Sequence, residues 1–404
     1  MAPLVRKTNE SRLAWYWRRG LNKLSFHVEQ ARSGERGRKL DKFTQDLRGF
    51  CLWIGQSVRE LVALRKHPDR RLLAIYDLRS QPFSIGDILL IQGASLVVRE
   101  QHQLDQVDFA LLYDPAEPAC ADPAFSAITS ENILYHLASV LPAAQVNPHH
   151  GSLFVFNSPL QLNRFIADNA GRYHIWPSAW RFSLREYNYR YVFNDLLHKH
   201  HQKLGSLPRL TCRPFLADWA RSFYREHVCP LVPVTVQVRR NKSISVSRNL
   251  NLETWLDFFR HCEGRYPVKF VVICARGEVD ERLRACPNVV IAKDHGTAIE
   301  QDLALIQTSA IHMGASSGPG MVAIFNSRPY LFVNSYAHQI GHDDLMPVDG
   351  FWQFTFATPY QRFAAPPETT EMLIAQFARM WSTIDRREWQ DTPPPAQELV
   401  SWLR

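Results

Sequence analysis

The chain has 404 residues, 46% hydrophobic and 21% charged. This is ordinary globular usage, which excludes a disordered, collagen-like or coiled-coil protein, and at about 150 residues per domain it leaves room for two or three domains. Lys and Arg number 47 against 39 Asp and Glu, a net charge of +8 that suits an anionic partner without choosing between nucleic acid, acidic lipid and a phosphorylated small molecule.

The first 70 residues set themselves apart. Leu13, Trp15, Trp17, Leu21 and Phe26 are interleaved with Arg12, Arg18, Arg19 and Lys23, and a second helical pattern runs from Phe43 to Leu64. Basic helices carrying Trp suit a membrane interface, with their cations on acidic lipid. They suit equally a helical extension packed on the domain behind it. No run of about 18 apolar residues reads as a membrane span, and the N-terminus lacks the apolar core of a signal peptide. Seven scattered cysteines, odd in number and without a C-x-x-C pair, signal neither zinc nor a disulfide framework and fit a reducing cytoplasm.

From Arg71 the pattern becomes strand, helix, strand: strands at Leu72–Tyr76, Phe109–Tyr113 and Leu153–Phe156, with helices at Ile85–Val98 and Pro159–Ala167. Residues 71–225 read as one α/β domain that ends in an aromatic, helical connection from Trp176 to Tyr224. A second α/β run occupies 226–365. Its strands are Val234–Val238, Phe270–Cys274, Val289–Ala292, Ala310–Met313 and Tyr330–Val333, and its helices are Leu252–Cys262, Val279–Arg284, Ala298–Ile306 and Pro319–Phe325. Strands separated by helices of about ten residues imply right-handed crossovers and a doubly wound parallel sheet. Residues 366–404 hold a C-terminal helix, Glu371–Ile384, and a Pro-rich tail. The expected architecture is α/β, with two Rossmann-like domains facing a cleft and an N-terminal helical extension.

In such sheets ligands sit beyond the carboxyl ends of the strands. The loop Gly314-Ala315-Ser316-Ser317-Gly318-Pro319-Gly320 follows a strand and opens a helix. Its glycines admit a phosphate, its serines are placed to cap the helix, and its N–H groups attract negative charge. The same run spells G-x-S-x-G, which would make Ser316 a hydrolase nucleophile. However, the last histidines, His338 and His342, precede Asp343, Asp344 and Asp349, so a Ser, acid, His order cannot be assembled. Arg239, Arg240 and Lys242 end another strand and are followed by Arg248-Asn249, cations whose forks match diphosphate oxygens or line a solvated turn. Asp87, in the first turn of a helix, is placed to take a proton from an acceptor hydroxyl, or simply to satisfy the helix dipole. Arg276 and the pair Asp294-His295 could line a base and ribose. The cluster His198–His201 has no acid at a metal-ligand spacing and reads as a solvated helix end.

The Ser84–Leu90 run resembles the acceptor-side S-x-G-D turn of bacterial heptosyltransferases, and Gly314–Pro329 resembles their donor-side G-P-x-x-x-A-x-x-x-x-x-P segment. Val236–Arg240, with Arg248-Asn249 and Trp255, is similar to fucosyltransferase-like enzymes with an H-x-R strand end, although Gln237 stands where that pattern has histidine. Both families have the two-Rossmann architecture called GT-B. The resemblance implies an inverting transferase that moves a sugar from a nucleotide-sugar donor to a hydroxyl of a surface polysaccharide, glycolipid or protein, without a bound metal or other cofactor. It implies Asp87 as general base, and Arg239, Arg240 and Lys242 as diphosphate ligands beside Ser316, Ser317, Gly318 and Gly320. A cytoplasmic protein, peripheral at the membrane's inner face, fits this chemistry, and nothing reads nucleic acid. A non-catalytic nucleotide- or glycan-binding module of the same fold is the alternative.

Overall fold

A computed structural model describes residues 70–79, 81–115, 128–169, 171–177, 189–242, 246–335 and 345–386. The expected N-terminal helices, the Pro-rich tail, and His338, His342, Asp343 and Asp344 lie outside them. The first unit comprises β1 (Arg71–Asp77), α1 (Ile85–Gln101), β2 (Gln106–Leu112), α2 (Ile133–Val140), β3 (His150–Phe156), α3 (Pro159–Asp168) and β4 (Tyr173–Trp176). Its strands are all parallel, in the order β3-β2-β1-β4. All residues of β1 but the first are buried, as a central parallel strand covered on both faces must be. Alternation divides them: Leu72, Ala74 and Tyr76 enter the main core, while Leu73 and Ile75 pack with Leu162 and Ile166 of α3.

α4 (Tyr189–Leu204) and α5 (Pro214–His227) lead into the second unit. This contains β5 (Val232–Gln237), α6 (Leu252–Cys262), β6 (Val268–Ile273), α7 (Glu281–Arg284), β7 (Val289–Ile291), α8 (Ile299–Thr308), β8 (Ile311–Ala315), a 3₁₀ segment (Pro319–Phe325) and β9 (Tyr330–Val333). After them come β10 (Leu345–Val348), β11 (Phe351–Phe354), β12 (Gln361–Phe363) and α9 (Thr370–Trp381). The sheet order is β10-β11-β12-β9-β8-β5-β6-β7, parallel from β12 through β7. The last three strands extend it beyond the expected five. β10 and β11 form an antiparallel hairpin through Asp349-Gly350, both at positive φ, the geometry of a tight Asp-Gly turn.

The two units share one core. Leu72, Ile88 and Phe109 of the first belong to the same cluster as Val271, Leu303, Phe325 and Phe332 of the second. α1 explains the fusion, since every residue from Gly86 to Val98 is buried. A helix apolar on all sides needs cover on all sides, and here its own sheet supplies one face and the second unit the other. Gly93 permits the closest approach: a Cβ there would lie 2.0 Å from Cε1 of Phe325.

Candidate functional site

In the second sheet the strand order reverses between β5 and β8, the place where a doubly wound sheet opens a crevice beyond its carboxyl ends. Val232, Val234, Val236 and Val238, with Ile311, Met313 and Ala315, pack on the outer core. Alternation therefore turns Thr235, Gln237 and Arg239 of one strand, and His312, Gly314 and Ser316 of the other, toward the first unit. The register sets them side by side, Thr235 with His312 and Gln237 with Gly314. Thr235 Oγ1 and His312 Nδ1 are 3.0 Å apart. Burial lowers the His312 pKa to about 3, so the ring is neutral.

Beyond these pairs the two turns converge. Arg248 Nη1 donates to the Ser316 carbonyl at 3.1 Å, which fixes the arginine turn onto the serine loop. Asn249 holds that turn in shape: its Nδ2 donates to Asn241 O at 2.7 Å, and its Oδ1 accepts from Asn241 N at 3.0 Å. Arg239 lies partly buried where β5 ends; burial lowers its pKa, with Glu278 opposing. A desolvated guanidinium favours an anion more strongly than one in water.

From the other unit, Ser84 caps α1 by accepting from Asp87 N at 3.4 Å, and Asp87 is 4% exposed. The two turns touch: a Cβ on Gly86 would lie 3.4 Å from Gly318 Cα, and one on Gly318 would lie 3.2 Å from Gly86 N. Asp87, Ser316, Gly318 and Arg248 thus belong to one neighbourhood, assembled from both units.

The remaining residues singled out from sequence fall elsewhere. Arg240 pairs with Asp280 at 2.7 Å, beside Arg282, whose hydrogen bond holds the Asp280 carboxyl at about 2. Lys242 and Arg276 are exposed. Asp294 is bound by Arg284 at 2.7 Å, and His295 lies tilted against His227 with ring centres 3.9 Å apart. The serines do not cap the Pro319–Phe325 segment; Gly318 occupies the N-cap position and no side chain caps it. Among the described residues no histidine hydrogen-bonds the Ser316 hydroxyl. The neighbouring His312 spends Nδ1 on Thr235, and its Nε2 makes no hydrogen bond to Ser316. His200 is 7% exposed and lies 3.5 Å from Glu100, which corrects the expectation of a solvated helix end. Sequence reasoning passed over the Lys293–Asp302 pair, a buried contact of 2.6 Å that pins the loop after β7 to α8. It also gave no role to Gln237 and Asn334, two buried amides at strand ends.

No protein-family model matches the chain, and no curated protein matches it. Solved structures do. One is a glycosyl transferase family 9 protein from Veillonella parvula DSM 2008, 11% identical, covering 78% of this chain and 90% of that one at a TM-score of 0.45. Another is the E. coli ADP-heptose lps heptosyltransferase II, 10% identical, covering 77% and 98% at a TM-score of 0.47. Fucosyltransferase NodZ from Bradyrhizobium is 13% identical and covers 63% and 92% at a TM-score of 0.27. At these identities the likeness is one of chain course. No helix among the described residues is long and apolar enough to cross a membrane.

Proposed function

We propose that the chain is a glycosyltransferase that moves a sugar from a nucleotide-sugar donor to a hydroxyl of a polysaccharide, glycolipid or protein, with inversion and without a resident metal. The observation that carries this reading is the clasp of Arg248 on the Ser316 carbonyl at the switch point. It brings a cationic turn and a glycine-rich loop to one place, with Arg239 beside them. There the guanidiniums and backbone N–H groups would hold a diphosphate and stabilise it as it departs.

Asp87, reaching the same place from the first unit, supplies the base. The acceptor oxygen attacks the anomeric carbon, the bond from that carbon to the diphosphate oxygen breaks, and the acceptor proton passes to the Asp87 carboxylate. Gly86 and Gly318 are in contact, so a diphosphate would have to lie alongside the paired turns, on the Arg239 and Arg248 side. That closeness also suits a second reading, a binding module of the same fold that does no transfer.

Titration with nucleoside diphosphates, followed by slow hydrolysis of the matching nucleotide sugars, tests both. Binding with hydrolysis supports the transferase, and binding without it supports the module. With a turned-over donor in hand, Arg239→Ala should abolish transfer while the fold survives. Asp87→Asn should reduce transfer far more than donor binding. Full turnover by Arg239→Ala would remove the diphosphate role, and equal loss of both properties in Asp87→Asn would make that carboxylate structural.

A further inference from the structure

Two buried carbonyl oxygens stand without hydrogen-bond partners among the described residues at the ends of the strands flanking β8. One is Gln237 Oε1, at the end of β5, and the other is Asn334 Oδ1, directly after β9. Gln237 is 4% and Asn334 3% exposed. Buried polar groups in folded proteins almost always find partners, and each exception needs a reason.

The orientation of Asn334 is fixed, because its Nδ2 donates to Asn249 O at 2.8 Å. This ties Asn334 to the turn that carries Arg248 and leaves Oδ1 as the open end. Its backbone sits at φ 52, in the left-handed region that costs a non-glycine residue energy and recurs at ligand-binding positions. Gln237 lies on the β5 face turned toward the first unit, and its Nε2 reaches only Val238 O at 3.5 Å. β5 and β9 both pair with β8, and the register sets Gln237 level with Gly314 and Phe332, two positions before Asn334, so the two amides stand on the strands either side of the one that leads into the serine loop.

We infer that these two oxygens accept hydrogen bonds from hydroxyls on the sugar rings of the donor, and so act as residues that select it. The inference rests on the function proposed above and names two residues that read the donor's hydroxyls. A diphosphate esterified at both ends offers acceptors only, and inorganic pyrophosphate at neutral pH adds no more than its last residual protons, so neither brings a sugar O–H to each of the two carbonyls. A ribose or a transferred sugar brings O–H donors, and its rings flank the diphosphate as Gln237 and Asn334 flank the loop. A site built to hydrogen-bond a hydroxyl discriminates strongly against ligands that lack it.

The test compares inorganic pyrophosphate, the common nucleoside diphosphates and their hexose conjugates by calorimetric titration of the full chain and two variants. Gln237→Met removes an acceptor with little change of shape, and Asn334→Gly removes the other at a position where glycine relieves the backbone. Because the lost carbonyl was unmet, Gln237→Met should leave the melting temperature unchanged or raise it. Gln237→Met should bind pyrophosphate as wild type does and bind sugar-bearing ligands about tenfold more weakly, whereas Asn334→Gly, which also gives up the bond to Asn249 O, should lose more affinity for sugar-bearing ligands than for pyrophosphate. Weakening already seen with nucleoside diphosphates places that amide on the ribose; weakening confined to the conjugates places it on the transferred sugar. Equal loss for pyrophosphate and conjugate, or no loss for either, overturns the inference while the wild-type titrations still support nucleotide-sugar binding. A wild-type chain that binds none of these ligands overturns the proposed function and this inference together.

Discussion

The two turns that meet at the site are built with opposite electrostatics. The helix opening at Ile85 is capped by Ser84 and carries Asp87 in its first turn, so its positive end is already answered by a hydroxyl and a carboxylate. The segment opening at Pro319 has neither a side-chain cap nor an acidic residue in its first turn, and Arg248 stands behind it. A carboxylate at a helix start repels a second anion, whereas bare N–H groups backed by a guanidinium attract one. On the function proposed above, the first turn would take a proton and the second would hold negative charge, although both follow a parallel strand. Strand-to-helix position alone does not say which task a turn performs; the residues in its first turn do.

The contrast needs β5 and β8 to stay at their spacing, and Gly314 guarantees it. Its φ is 131, and a Cβ would lie 2.4 Å from Gln237 O, a backbone atom that cannot turn aside. Gly314→Ala combines backbone strain with overpacking and should cost about 3 kcal/mol or more in urea denaturation. A near-normal midpoint would show that the serine loop is not held where the site requires it.

Directly below, His312 makes the second unit sensitive to acid. Its folded pKa is about 3 against about 6.5 in an unfolded chain. Between those values the unfolded state binds a proton that the folded state refuses. This contribution is complete above about pH 6.5, declines as the pH falls toward 3, and is flat below. Urea melts across that range should show the decline in wild type and a shallower one in His312→Asn; identical slopes would mean that other groups dominate. The Arg248 turn is the next place to press. Arg248→Lys keeps the charge but loses the planar fork that reaches Ser316 O, so nucleoside diphosphate affinity should drop roughly tenfold. Unchanged affinity would show that charge alone suffices there.

The sequence made some of this visible. α6 falls where its apolar spacing placed it, Leu252 to Cys262, because a helix with one greasy face carries its period openly. The runs of Val and Ile likewise announced β5 and β6. β4 and β10 to β12 escaped notice, because a polar residue or a proline interrupts each of these short segments, whereas the equally short β7 and β9 are continuous apolar runs. At the site, residue type placed Asp87, Arg248 and Ser316, which the fold unites. The fate of Arg240 depended on Asp280, forty residues away, and no local pattern records that. Gln237 and Asn334 were illegible for another reason: what marks them is a missing partner, and only the packed chain shows one missing.

The finest test of the contrast between the two turns uses a pair of serines. Ser84 accepts a hydrogen bond from the backbone of its helix, so Ser84→Ala should cost about 1 kcal/mol, the usual value of a lost N-cap. Ser317 precedes a segment with no side-chain cap, so Ser317→Ala should change stability by less than about 0.5 kcal/mol. Paired denaturation curves check this directly. Equal losses would mean that Ser317 caps after all and that the two helix starts are electrostatically alike. A loss at Ser84 alone means that the N–H groups of the second turn are left for a ligand, and in that case Ser317→Ala should show any effect in the binding of a nucleoside diphosphate rather than in the melting of the chain.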